Sequence, residues 1–326
     1  MSSFVIPTIR TVSDEFTVSA KAPPSKKQKT KATGSKKSTV SLAIDTGCVL
    51  HETNLLLRTA LVWRIAGLLL TFNVTEVILV EPKKEAAGAL EVKNCTEFVE
   101  TLLSYLEAPP YLRKALFPLN PALRFTSSFP LLAFPHHSTL TTSAQSVRYR
   151  EGVVEGSEPY VRNKTLVYAG LDKPVRVPGK YPRGTRVTVS LKQVPKKTAK
   201  SSLNSDCFEG DVVSSSAPRE KGGLYWGYTI RRAQSWKDAV SSCSYKGGYS
   251  HVIGIDRTIP SSTGNVFGEL QNPKHTLLLC FLSKPGKEQL SVVTHSTNPL
   301  PFALASPSYE QCISSALTEL CTLRKE

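Results

Sequence analysis

The chain has 326 residues, enough for one large or two modest domains with a buried core, which sets it apart from small domains that need disulfide or metal staples. Lysine and arginine outnumber aspartate and glutamate by 41 to 26, a net charge of +15, and such an excess favours a polyanionic partner, nucleic acid first. The seven cysteines include no C-x-x-C pair and the histidines only one adjacent pair, His136-His137, so the composition argues for reduced thiols and against structural zinc or any other metal site.

The first ten residues lack the basic start and apolar run of a secretory signal. Residues 1–38 read as a disordered basic tail. From 21 to 38 no aliphatic side chain exceeds alanine, so nothing offsets the entropy of ordering the backbone. Its seven lysines leave a charge of +8 on the remainder, and residues 23–31 resemble a nuclear-import patch, which predicts a nuclear and nucleolar protein. Residues 40–44 then read as a strand, 51–72 as a helix and 74–80 as a buried β-branched strand, together a βαβ unit. The apolar stretch 55–70 is interrupted by Arg58 and Arg64 and falls short of the roughly 20 residues of a membrane span, so it is predicted to pack in a core and no membrane partner is expected. A second helix is predicted over 95–107, ended by Pro109-Pro110, and a short basic helix over 111–117 carries Arg113 and Lys114.

The character changes over 146–221. Short strands at 150–154, 161–168, 175–177 and 186–191 are separated by Pro-Gly turns, and Val187, Val189 and Leu191 alternate with polar residues, as in a small inserted β-barrel. The basic run 193–205, with Lys196 and Lys197 after Lys192, is predicted as a loop of that barrel. The pattern then returns to strands at 225–230, 251–255 and 276–282, with helices over 233–242 and 308–323. The last helix aligns Ile313, Ala316, Leu317 and Leu320, a stripe that suits either an interface or the cover of a sheet. Strands alternating with helices predict an α/β fold with a mostly parallel, Rossmann-like sheet formed by 39–145 and 222–326 around the inserted barrel.

The densest chemical signal is residues 222–232, where three glycines and three aromatics precede Arg231 and Arg232. Glycine permits close backbone approach, Tyr225, Trp226 and Tyr228 offer faces for base stacking, and arginine pairs with phosphate. The same residues equally make an aromatic strand with solvated arginines, and strand alternation predicts that at least one of the aromatics packs inward.

Val212-Val213-Ser214-Ser215, Pro218-Arg219 and Gly223-Leu224-Tyr225-Trp226-Gly227-Tyr228-Thr229-Ile230-Arg231 resemble a signature of one SPOUT-superfamily group, the eukaryotic and archaeal RNA methyltransferases with an inserted OB-like domain. Ser41-Leu42-Ala43-Ile44, Tyr105-Leu106-Glu107-Ala108-Pro109, Pro135-His136-His137 and Arg150-Glu151-Gly152-Val153-Val154 follow the same order, so the resemblance covers about 40–255. It implies a trefoil-knotted sheet that holds S-adenosylmethionine, an OB-like insert that binds RNA, and a site formed at a dimer interface. The partner would be a second copy or a related SPOUT subunit, and the RNA a ribosomal RNA in pre-ribosomal particles.

Three loops would carry the cofactor, and each departs from the family pattern. After the first of their strands stand Gly254, Asp256 and Arg257. After the second, Phe281, Leu282 and Ser283 replace a glycine pair, and Ala303 and Ala305 lie where relatives have a glycine-rich loop. RNA contacts are expected from Arg113, Lys114, Lys192, Lys196, Lys197, Trp226, Tyr228, Arg231 and Arg232. The resemblance therefore supports two functions: an S-adenosylmethionine-dependent RNA methyltransferase of ribosome biogenesis, dependent on a partner subunit where its own loops are eroded, or a non-catalytic assembly factor that keeps the fold for RNA docking and dimerisation. Gly-x-Ser-x-Gly, a complete phosphate-binding loop and His-Glu-x-x-His are all absent, which leaves hydrolase and nucleotide triphosphatase chemistry without a motif.

Overall fold

The computed structural model describes residues 38–82, 89–137, 148–157, 163–192, 206–256, 267, 270, 274–282, 286–297 and 308–323. The chain divides into two compact units. One contains Lys36–Glu107, Leu119–Leu132 and Gly227–Glu326, and the other contains Ala108–Pro118 and Ala133–Trp226.

The first unit is built on six parallel strands: β1 (Thr39–Asp45), β2 (Glu76–Val80), β8 (Thr229–Ala233), β9 (His251–Ile255), β10 (His275–Cys280) and β11 (His295–Thr297). Their spatial order is β11-β9-β10-β1-β2-β8. Every residue of β2 is buried, as a central parallel strand covered on both faces requires. The chain runs outward from β1 to β2 and β8, then resumes on the other side of β1, so the order reverses between β1 and β10. In open α/β sheets that reversal marks the crevice where ligands bind, outside the carboxyl ends of the strands.

Helix α1 (Leu55–Thr71) starts where the Asn54 side chain accepts a hydrogen bond from Leu57 N at 2.9 Å. It ends before Asn73, whose φ of 53° places it in the left-handed region. Helix α2 (Ala89–Glu107) buries Cys95, Val99, Leu102, Leu103 and Leu106. Near the far end of the chain, α7 (Tyr309–Leu323) buries Ile313, Ala316, Leu317 and Leu320, the predicted stripe. A core of Ala43, Ile78, Leu277, Leu279 and Phe281 is closed by Trp236 and Ala239 of α5 (Trp236–Ser241).

The second unit is a closed barrel of β3 (Tyr149–Ser157), β4 (Lys164–Tyr168), β5 (Val175–Pro178), β6 (Arg186–Leu191) and β7 (Phe208–Val213), in the order β3-β4-β5-β7-β6. The β5–β7 pair is parallel and the others antiparallel. Val154, Val167, Val175, Val177, Val187, Val189 and Leu191 fill the interior. Helix α3 (Pro110–Leu116) sets Tyr111 against this barrel, where its ring lies 2.6 Å from the position a Cβ on Gly170 would take. Gly170 also has a φ of +68°, so both space and backbone conformation exclude a side chain there.

Several boundaries differ from the sequence expectation. The predicted strand 225–230 pairs with β2 only from Thr229, because Gly227 takes a φ of 81° and breaks the extended run. The predicted helix from 51 is split by the Asn54 cap into a 3-10 turn, Thr46–His51, and α1. Strands β7 and β11 and the short helices α4 (Ala217–Gly222) and α6 (Lys287–Leu290) had no separate prediction. Residues 1–37, 161–162 and 193–205 lie outside the described residues.

Candidate cofactor and RNA sites

All six parallel strands end on one edge of their sheet, and the ends of β10, β9 and β11 are neighbours. The ladder continues one residue past the strands: Phe281 N donates to Ile255 O at 3.2 Å, and Asp256 N donates to Thr297 O at 3.1 Å. Four predicted cofactor residues are described here. Asp256 is buried at the end of β9, and Leu282 is half-buried after β10. Gly254 faces protein rather than open space, since a Cβ there would lie 2.9 Å from the Phe281 ring and 3.1 Å from Val293 Cγ1. Phe281 is buried and meets Trp236 edge to face, ring centroids 4.7 Å apart. These two positions therefore belong to the packed core at the strand ends. Arg257, Ser283, Ala303 and Ala305 lie outside the described residues.

At the reversal between β1 and β10 the structure brings together residues that sequence reasoning missed. Asp45 closes β1, and its Oδ1 accepts a hydrogen bond from Gly47 N at 2.8 Å, which holds the following 3-10 turn. Thr46 Oγ1 donates to Val80 O at 3.1 Å and shares a 2.8 Å hydrogen bond with Thr96 Oγ1. The buried Tyr309 of α7 bridges the two strand ends: its hydroxyl accepts from Asp45 N at 2.9 Å and donates to Cys280 O at 2.7 Å. A Cβ on Gly47 would lie 2.9 Å from Asp45 Oδ1, 3.1 Å from Pro82 Cβ and 3.7 Å from Leu282 Cδ2, so the ends of β1, β2 and β10 converge on this glycine. Burial raises the Asp45 carboxyl above its usual value, opposed in part by the Gly47 hydrogen bond and the nearby His51. The acid-Thr-Gly run straight after an apolar strand was the available signal for Asp45 and Gly47. Tyr309 had none, because its partners are backbone atoms distant in sequence.

These ends stand at a topological switch, with Asp256 buried and Gly47 closed in by Asp45 Oδ1 and Pro82 Cβ. The Gly254 position does not add room, being filled by Phe281 and Val293. Among the described residues no group of three His, Cys, Asp or Glu side chains is placed to hold a metal, and no helix is long and apolar enough to cross a membrane.

The predicted RNA residues separate into three kinds. Arg231 is committed internally: Nε pairs with Glu76 at 3.2 Å, Nη1 donates to Ser242 Oγ at 2.8 Å, and Nη2 donates to Ala239 O at 2.8 Å and to Tyr249 at 3.2 Å. Its guanidinium is thus engaged by internal partners, with 19% of the side chain exposed. Trp226 and Tyr228 are likewise buried rather than presented for stacking: Trp226 Nε1 donates to Glu151 at 2.7 Å and the Tyr228 hydroxyl to Leu103 O at 2.9 Å. Arg232 is partly exposed and pairs with Glu100, and Lys192 is exposed and pairs with Asp211 at 3.5 Å. Arg113 donates to Ala108 O at 3.1 Å, whereas Lys114 on the same helix is exposed. Lys196 and Lys197 lie outside the described residues.

The barrel carries an outer basic and aromatic face that the sequence reading did not single out. The core residues Val167, Val175 and Val177 point inward, so their alternates Lys164, Leu166, Tyr168 and Arg176 stand on the outer face of β4 and β5. Glu209 of β7 joins them, 3.4 Å from Lys164 Nζ and 3.2 Å from Arg176 Nη1.

Residues 39–302 match the model of a family described as putative RNA methyltransferase. The chain is similar to a putative methyltransferase of Schizosaccharomyces pombe, 35% identical over 298 residues, 86% of this chain and 92% of that protein. It is also similar to proteins named 28S rRNA (uridine-N(3))-methyltransferase. The Mus musculus protein is 32% identical over 68% of this chain and 57% of its own length, and the Homo sapiens protein 31% identical over 68% and 58%. The chain thus spans somewhat more than half the length of these two mammalian relatives.

Proposed function

The chain belongs to the putative RNA methyltransferase family, and on that premise we propose that it is a SPOUT-type enzyme that methylates ribosomal RNA at N3 of a uridine, using S-adenosylmethionine. The observation that carries this reading is a family match that runs through both compact units, joined to relatives named for that reaction. The switch point between β1 and β10 and the adjacent ends of β10, β9 and β11 support a cofactor site of the knotted SPOUT kind.

Bound S-adenosylmethionine would supply an electrophilic methyl group. The chain's share is to bind and orient: the segments after β9, β10 and β11 hold the nucleoside, with Asp256 and Leu282 at their roots, and Tyr309 fixes the spacing of β1 and β10. The barrel's strand order, with its parallel β5–β7 pair, is that of an OB fold, and the face of Lys164, Leu166, Tyr168 and Arg176 is its RNA-binding surface. In domain terms, residues 146–221 form the OB-like insert, 39–145 and 222–326 the methyltransferase domain, and 1–38 the basic tail. The protein works in the nucleus and nucleolus on pre-ribosomal particles. It acts as a dimer with a second copy or a related SPOUT subunit, which completes the cofactor loops where Leu282-Ser283 and residues 301–308 depart from the family pattern.

Calorimetric titration of the purified chain with S-adenosylmethionine, alone and with copurifying partners, tests this reading when combined with methyl incorporation into large-subunit ribosomal RNA. Binding and incorporation at uridine are expected. Absence of binding in every oligomeric form would overturn the enzyme in favour of an RNA-docking scaffold.

A further inference from the structure

Resting on that reading, we propose that the Asp45 carboxylate takes the proton from N3 of the target uridine during methyl transfer. Neutral uracil holds a proton on N3 and delocalises the nitrogen lone pair into two carbonyls, so N3 becomes a nucleophile only as that proton leaves. A positioned base is therefore the group the reaction needs from the protein. As the proton passes to Asp45, the N3–H bonding pair stays on nitrogen and forms the bond to the methyl carbon. The pair of the broken S–CH3 bond stays on sulfur, and no further reactant is required.

Asp45 stands at the topological switch of the sheet. It ends β1 at the point where the strand order reverses, beside the end of β10. Its Oδ1 is fixed by Gly47 N, and Oδ2 takes no hydrogen bond from any described residue. Its backbone is pinned by Tyr309, which also holds the β10 end, and Asp45 Oδ1 and Leu282 Cδ2 both lie within 4 Å of the position a Cβ on Gly47 would take. Among the described residues other acids stand near the same edge of the sheet, including Asp238, which accepts from Gln234 N just past β8 at 3.0 Å. Asp256 is only 4% exposed, and Glu81 follows β2, one strand further from β10.

The titratable groups facing Asp45 are His51 and Cys48 on its own turn, Cys280 on β10, Cys95 on α2 and Tyr309 on α7. Burial pushes the Cys48 and Cys95 thiols and the Tyr309 phenol upward, so these three stay neutral, and His51 acts on Asp45 in the sense opposite to burial. Burial raises the Asp45 carboxyl above its ordinary value, against the Gly47 hydrogen bond and His51, which makes it a stronger base.

Asp45→Asn in the full chain is the test, because the amide oxygen can still accept from Gly47 N. S-adenosylmethionine affinity, read by calorimetry, is expected to change less than about twofold, whereas transfer to a large-subunit ribosomal RNA transcript near pH 7 falls by about 100-fold or more. The residual rate of the variant should climb with pH as N3 ionises unaided, while the wild-type rate levels off above the carboxyl pKa. A carbon-13 NMR titration of Asp45 in the wild-type chain supplies a readout independent of turnover and of the variant's folding. Its midpoint should match that of the pH-rate profile, and a mismatch would overturn the assignment. So would an Asn variant with the wild-type rate and profile. A wild-type chain that methylates RNA while Asp45→Asn changes nothing removes the base and keeps the enzyme, whereas a wild-type chain that binds no S-adenosylmethionine removes both.

Discussion

Arg231 shows how a residue that reads as a ligand group can be a structural one. Its carboxylate partner, Glu76, opens β2 at 2% exposure and accepts hydrogen bonds from Ser41, Ser244 and Tyr249 as well. Burial alone would raise the Glu76 carboxyl. The hydrogen bonds from Tyr249, Ser244 and Ser41 and the charge of Arg231 outweigh it and hold the group below its usual 4.5. Because the folded pKa is depressed, this network contributes stability that is fully present above pH 4.5 and is lost as pH falls through the folded value. Removing the guanidinium takes away the countercharge and leaves the buried carboxylate on its hydrogen bonds alone, so Arg231→Ala is expected to cost up to about 3 kcal/mol in denaturant unfolding. RNA affinity of the folded fraction should stay unchanged. An intact fold with weakened RNA binding would restore the phosphate role.

At the scale of elements, the strands were the most legible part of the sequence. The runs at 251–255 and 186–191 coincide with β9 and β6, because apolar β-branched residues at strand spacing leave little alternative. The 222–232 segment was misread because its aromatics suit a strand, whereas Gly227 with positive φ and the hydrogen bonds of Trp226 and Tyr228 are decided by tertiary partners. Asp45 was passed over for a related reason: its place at a topological switch depends on β10, more than 200 residues later in the chain. Glu151 on β3 illustrates the same dependence. Its carboxylate accepts from Trp226 Nε1 at 2.7 Å and, on β6, from Thr188 Oγ1 at 2.6 Å and Arg186 Nε at 2.8 Å, three donors gathered on one buried acid. Glu151→Ala strands all three donors and is expected to destabilise the barrel unit by about 3–5 kcal/mol, with Trp226 fluorescence as the probe. A loss under about 1 kcal/mol would mean the three donors find water instead.

For the whole molecule, the net charge of +15 becomes informative only when sorted by what each cation touches. Arg231 and Arg186 are spent on buried acids, and Arg232 is paired with Glu100. On the outer barrel face, Lys164 and Arg176 both pair with Glu209 beside Leu166 and Tyr168, a basic and aromatic surface that a phosphate can engage in place of that carboxylate. Each cation that neutralises a phosphate on a single strand contributes about 0.7 to the log-log dependence of affinity on salt. Replacing Lys164 and Arg176 together with alanine should therefore weaken RNA binding at low salt and flatten that dependence by about twice this value. Arg232→Ala, which removes a cation already paired with Glu100, should leave the slope unchanged. Equal slopes for the double variant and the wild type would take the β4–β5 face out of the RNA path, and a flattened slope in Arg232→Ala would return the contact to the sheet unit.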